Sequence, residues 1–186
     1  MKTLKNSTLF CLLLLFVSIQ FATAQKLVNA SEVTPSLLKE TCDNAYIGVL
    51  EVKDTYIKIK NTYSVYLDID DNKRFVTFSS VYNLVDGASK KDALELVNKL
   101  NAEVALIKVY YSESTNTITY FYYFWTEGGF THKSLISSLR LYKTALDLSL
   151  DKDTQTIFYS LLKEEVYFKA FFKYIDDKVV LVSLNH

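Results

Sequence analysis

Two histidines, His132 and His186, and two cysteines, Cys11 and Cys42, are all the chain offers for soft-ligand or imidazole chemistry. A metal centre needs several His, Cys or acidic ligands converging at fixed geometry. His132 stands beside a helix start and His186 at the terminus, so both read as surface residues and no metal site is expected. Asp68, Asp70 and Asp71 suggest calcium, but no glycine occupies the sharp-turn position and no bidentate glutamate follows at loop spacing, so a solvated hairpin turn accounts for them. Nucleophilic catalysis needs an activated Ser, Thr or Cys beside an oriented base. The chain has no G-x-S-x-G elbow, and Cys42 precedes Asp43 with no histidine near it in sequence. Glu164-Glu165 reads as solvated charge, and Gly128-Gly129 is too short to cradle a phosphate. No catalytic residue and no cofactor are expected.

Binding chemistry is better represented. Tyr120-Phe121-Tyr122-Tyr123-Phe124-Trp125 is an unbroken aromatic strand. Side chains alternate across a sheet, so Tyr120, Tyr122 and Phe124 point one way and Phe121, Tyr123 and Trp125 the other. Neither set is polar. One set must meet the helices; the other is either covered by the C-terminal extension or open as a contact surface. Its occupant is then an extended peptide, a second subunit, or a sugar ring stacked on Trp125. The candidate binding residues are Tyr120, Tyr122, Phe124 and Trp125.

The elements that position this strand follow from periodicity. Thr34 caps a short helix with Pro35 at its first position, and Leu37, Leu38 and Cys42 follow at helical spacing to about Asp43. Between Tyr46 and Leu84 three alternating runs predict antiparallel strands with one wet face. Ile57 and Ile59 oppose Lys58 and Lys60, Val65, Leu67 and Ile69 oppose Tyr66 and Asp68, and Phe75 to Tyr82 is the third run. Ser89 with Asp92 forms a near capping box, and Ala93, Leu94, Val97, Leu100 and Val104 make the stripe of a second helix. Strands over Ala105 to Tyr111 and Thr117 to Trp125 come next. After Gly128-Gly129, Thr131 caps a third helix whose core face is Leu135, Ile136, Leu139, Tyr142, Ala145 and Leu146. The order α-β-β-β-α-β-β-α predicts an α+β fold, an antiparallel sheet with helices on one face. Residues 151–186 are expected to form a C-terminal extension packed on the domain. A short helix followed by a hairpin at Asp176-Asp177-Lys178 is favoured there over one helix through 154–174.

The N-terminus supplies an address. Lys2 and Lys5 precede an apolar run from Leu9 to Val17, and Ala22-Thr23-Ala24 is a small-residue exit before Gln25, the architecture of a secretory signal peptide over residues 1–24. That run is far short of the roughly 20 residues a membrane span needs, so cleavage and no stable membrane anchor are expected. Residues 25–33 read as a flexible leader, and the domain as residues 34–150. The product is exported, periplasmic or extracellular in a bacterium. Of 21 basic residues, loss of Lys2 and Lys5 leaves 19 against 21 acidic ones, a balance that argues against nucleic acid. Cys11 leaves with the signal, so Cys42 becomes the sole thiol: a buried hydrophobe on the first helix, or the bridge of a disulfide-linked dimer. The chain carries 14 Tyr and 12 Phe but only four Gly and one Pro, which implies regular elements joined by short turns.

The element order, Asn98-Lys99-Leu100-Asn101 on the second helix, its entry from Val85-Asp86-Gly87, and the junction Gly128-Gly129-Phe130-Thr131 together resemble the YbjN family over about residues 36–150. The resemblance implies a compact α+β domain similar to the type III secretion chaperone fold, with regulatory or chaperone-like protein contact and no catalytic residues to carry over. Asn98 and Asn101, three apart, share a helix face from which their amides can satisfy the following strand; a binding role for the pair is the alternative. The expected function is that of an exported, non-enzymatic domain acting through contact with an unidentified protein or a second copy of itself. A small-ligand or glycan binder using the aromatic sheet face is the first alternative, and a hydrolase with residues assembled from distant segments is the second.

Overall fold

The computed structural model describes residues 26–153. The expected signal peptide and the helix-and-hairpin tail lie outside the described residues. Helix α1 spans Pro35–Asn44, and Thr34 Oγ1 accepts from the Leu37 amide at its start. Strands β1 Gly48–Val52, β2 Tyr56–Asn61, β3 Tyr63–Ile69 and β4 Phe75–Asn83 follow, then helix α2 Lys90–Glu103, strands β5 Lys108–Ser112 and β6 Thr117–Trp125, and helix α3 His132–Lys152. All neighbouring strands are antiparallel, and the six form one sheet in the order β1-β2-β3-β4-β6-β5.

The α+β class and the one-sided helical layer agree with expectation, but the first block holds four strands rather than three. The extra strand, β1, is an edge strand in which no residue is fully buried, and its register with β2 breaks between Val49 and Glu51. A bulge on a half-wet edge destroys the alternation by which a strand is recognised. The second difference is residues 26–33, which are docked rather than loose. Val28 exchanges backbone hydrogen bonds with Phe130 at 2.7 and 3.0 Å, a 3-10 turn Ala30–Glu32 is closed by Asn29 and Glu32, and Val28 and Val33 are buried. Two valines five apart match no local period; only the pairing with Phe130 reveals their role.

One core lies between the helices and one face of the sheet. Ile57, Ile59, Val65, Leu67, Val76, Phe78, Val109, Ile118, Tyr120 and Phe124 face Leu38, Ala93, Val97, Leu100, Leu135, Leu139, Tyr142 and Leu146. The expected face of α3 is buried throughout, whereas on α2 Leu96 is buried and Leu94 is left 42% exposed. The stripe is rotated because α2 rests on the short strand β5 at the end of the sheet.

Candidate functional site

The register across β4 and β6 decides where each aromatic ring goes. Tyr122 is opposite Phe78 and Phe124 opposite Val76, so the even-numbered residues of β6 share the helix-covered face. Tyr120 is 0% exposed and Phe124 is buried, and Tyr122 is half-buried against Phe78. These three of the four expected binding residues therefore lie on the core side, Tyr120 and Phe124 buried and Tyr122 packed against the core with part of its ring exposed. The physical reason is volume: a helical layer over a six-stranded sheet needs large side chains at its centre, and Tyr120, Phe78 and Tyr142 supply them. Tyr142 fixes the arrangement by donating to the Tyr120 carbonyl at 3.0 Å.

Trp125 lies on the opposite face, 63% exposed, and with it lie Phe121 and Tyr123. Registers extend this face across the sheet. Phe75 is opposite Trp125, Thr77 opposite Tyr123, Ser79 opposite Phe121, and Lys108 flanks Phe121 from β5. On the other side Asp68 is opposite Thr77, Tyr66 opposite Ser79, Tyr56 opposite Asp68 and Lys58 opposite Tyr66. The rings meet edge to face: Phe75 with Tyr123 at 5.0 Å, Phe75 with Trp125 at 5.6 Å, Phe121 with Tyr123 at 5.4 Å, Tyr56 with Tyr66 at 5.7 Å. The three of these pairs that cross between strands contribute about 0.2–1 kcal/mol each, so the face is pre-ordered without a ligand. Lys58 lies 4.9 Å from the Tyr66 ring centroid and Arg74 5.8 Å from that of Phe75. The aromatic strand was visible in sequence; Phe75, Tyr56, Tyr66 and Asp68 were not, because only register brings them beside it.

Asp68 is the acidic member of this face. It is half-buried, and that burial holds its carboxyl above the usual carboxylate range, against a hydrogen bond from Ser79 that pulls it down.

A hydroxyl–imidazole pair lies between α1 and α3, where Thr41 Oγ1 and His132 Nδ1 are 2.6 Å apart. Thr41 donates its one proton to the Leu37 carbonyl at 2.7 Å, so the imidazole must donate from Nδ1. A hydroxyl that accepts from the ring is not activated by it, and Thr41 is buried, so the pair ties two helices and does not form a nucleophile and base. Among the described residues no group of three or more His, Cys, Asp and Glu could hold a metal ion. Cys42 is a free, fully buried thiol whose pKa burial pushes up to about 12, helped by the Asp43 charge. It is the buried hydrophobe, and a disulfide-linked dimer through it would require α1 to open.

The asparagine pair divides its work. Asn101 donates to the Val109 carbonyl at 2.8 Å and accepts from the Val109 amide at 2.9 Å, while Asn98 is exposed. The family profile for YbjN, described as "Putative bacterial sensory transduction regulator", matches residues 50–152. The chain belongs to the YbjN family. A solved structure titled "Crystal structure of YbjN, a putative transcription regulator from E. coli" is similar with a TM-score of 0.60 at 14% identity, over 71% of this chain and 98% of that one. At that identity the likeness is one of fold. No curated protein matches the chain. Within the YbjN fold, the second helix's Asn101 seals the sheet edge at β5, and the glycine junction carries the turn into α3, with Gly129 at φ +80°.

Proposed function

We propose that this chain is an exported, non-enzymatic YbjN-family domain that works by contact with another protein through the open sheet face of Phe75, Phe121, Tyr123 and Trp125. The observation that carries the reading is a pre-ordered aromatic surface on the side of the sheet away from the helices, with Trp125 63% exposed. Aromatic residues are enriched at protein interfaces because they bury much area with few rotamers to freeze. The export part of the proposal rests on residues 1–24 and places the protein in the periplasm or the medium of a bacterium.

Capture from native envelope extract tests it. The wild-type protein should retain a stoichiometric protein partner that the double variant Tyr123→Ala, Trp125→Ala loses while keeping its circular dichroism spectrum. Equal retention by both, or no partner together with a monomer in solution, removes the proposal. Intact mass of the exported product should show an N-terminus at Gln25; an uncleaved chain removes the export part.

Trp125 also favours a second reading, a sugar ring stacked on its exposed indole. A ligand at 100 times its dissociation constant adds about 2.7 kcal/mol of stability. Thermal shift against envelope glycans should then respond, and silence across them discards the glycan reading.

A further inference from the structure

Resting on the contact-face reading, the geometry points to Asp68 as a seat for an arginine side chain of the partner protein, held between the rings of Tyr56 and Tyr123. Tyr56, Asp68, Thr77 and Tyr123 stand in one register row across β2, β3, β4 and β6. Neighbouring strands are roughly 4.8 Å apart, so the row sets a carboxylate in a shallow trough, with one ring directly beside it and another beyond the small Thr77. A guanidinium is planar, stacks on aromatic faces and offers paired donors to a carboxylate, so it meets both features at once.

Three observations favour a cation from outside. First, among the described residues no lysine or arginine forms an ion pair with Asp68. Two cations of this face are engaged elsewhere, Lys58 over the Tyr66 ring and Arg74 on Asp70 at 3.2 Å. Second, both of those contacts are cation–π contacts or border one, since Arg74 also lies over Phe75, so the rings of this face already accept positive charge. Third, a half-buried carboxylate with its pKa raised by burial is destabilising where it stands, and a partner's charge would relieve that. The other carboxylate of this face, Glu51, is spent on Lys53 at 3.0 Å.

The test is a titration of the purified protein followed by amide chemical shifts at Asp68, Thr77 and Tyr123. The probes are an acetylated, amidated Thr-Val-Arg-Val-Thr pentapeptide and the same peptide with citrulline, which keeps the shape and removes the charge. The arginine peptide should saturate at a concentration at least tenfold lower than the citrulline peptide. Asp68→Asn should abolish that difference, while Asp70→Asn, whose carboxylate already serves Arg74, should keep it. Equal saturation by both peptides, a preference that survives Asp68→Asn, or no saturation by either overturns the arginine seat. The contact face itself is judged by the Tyr123 and Trp125 capture experiment, so the two ideas fail separately.

Discussion

The Tyr63 hydroxyl donates to Asp147 Oδ1 at 2.6 Å, joining the start of β3 to the last half of α3 across 84 residues of sequence. Lys143 completes the clamp, 2.6 Å from Asp147 Oδ2 and 5.8 Å from the Tyr63 ring centroid. Hydrogen bonds to charged groups are worth about 1.5–3 kcal/mol when well shielded, but the Asp147 side chain is 42% exposed. Tyr63→Phe should therefore cost about 1 kcal/mol in urea denaturation at neutral pH.

The same clamp sets a pH dependence. Burial, then the hydrogen bond and charge of Asp147, raise the Tyr63 pKa above its ordinary value. A group whose pKa folding raises gives stability that is complete below the unfolded value, about 10 for tyrosine, and lost as pH climbs through the folded value. Wild type should lose more stability than Tyr63→Phe between pH 9 and pH 12, read as the difference in urea midpoints. Parallel loss in the two proteins would show that the clamp does not contribute.

Asp68 should behave in the opposite sense. Near it are Tyr56 and Lys58 of β2, Thr77 and Ser79 of β4, Tyr66 of its own strand, and Asp70 just past that strand's end. Burial raises its pKa, so its ionised form weakens the fold, and stability falls as pH rises from the unfolded carboxylate value near 3.9. Asp68→Asn should raise the melting temperature at pH 7 and lose that advantage below pH 4. A lower melting temperature at pH 7 would count against the desolvation argument.

Asn101 protects an edge. Its amide occupies the outward amide and carbonyl of Val109 on β5, the last strand of the sheet. Unpaired edges of this kind template association. Asn101→Ala should cost about 2 kcal/mol, two hydrogen bonds at about 1 each, and should give concentration-dependent light scattering that the wild type lacks.

The two sides of β6 should differ sharply on truncation. Tyr120→Ala empties a fully buried site and should cost about 3–5 kcal/mol, as large aromatic deletions do. Trp125→Ala, on the open face, should cost under about 1 kcal/mol, since it removes one edge-to-face pair with Phe75. Urea denaturation of the two variants separates them, and comparable losses would mean that the Trp125 side is core as well.

Where a residue's fate depended on its own neighbours, the chain was readable by itself. Thr34-Pro35, Ser89 with Asp92, and Thr131 each start a helix by local hydrogen bonds, and all three do so at the expected place. The strands from Tyr56 to Tyr82 alternate because one face is wet, which is also a local pattern. Asn101 was recognised as serving the next strand because that strand begins only a few residues later.

What local pattern did not contain was the choice between two equally apolar faces of Tyr120 to Trp125. Alternation divides the six residues into two sets but carries no sign, so the sequence leaves open which set meets the helices, and its candidate binders Tyr120, Tyr122, Phe124 and Trp125 straddle both faces. The sign comes from which face meets α3, and that is set by long-range register: Phe78 opposite Tyr122, and Tyr142 on the Tyr120 carbonyl. Val28 with Phe130, β1 with β2, and Asp68 in its row with Tyr56 and Tyr123 share that dependence. In each case the deciding contact joins segments whose own sequences carry no trace of it, so periodicity gave the elements other than β1, and tertiary packing chose which side of the sheet the described residues leave open.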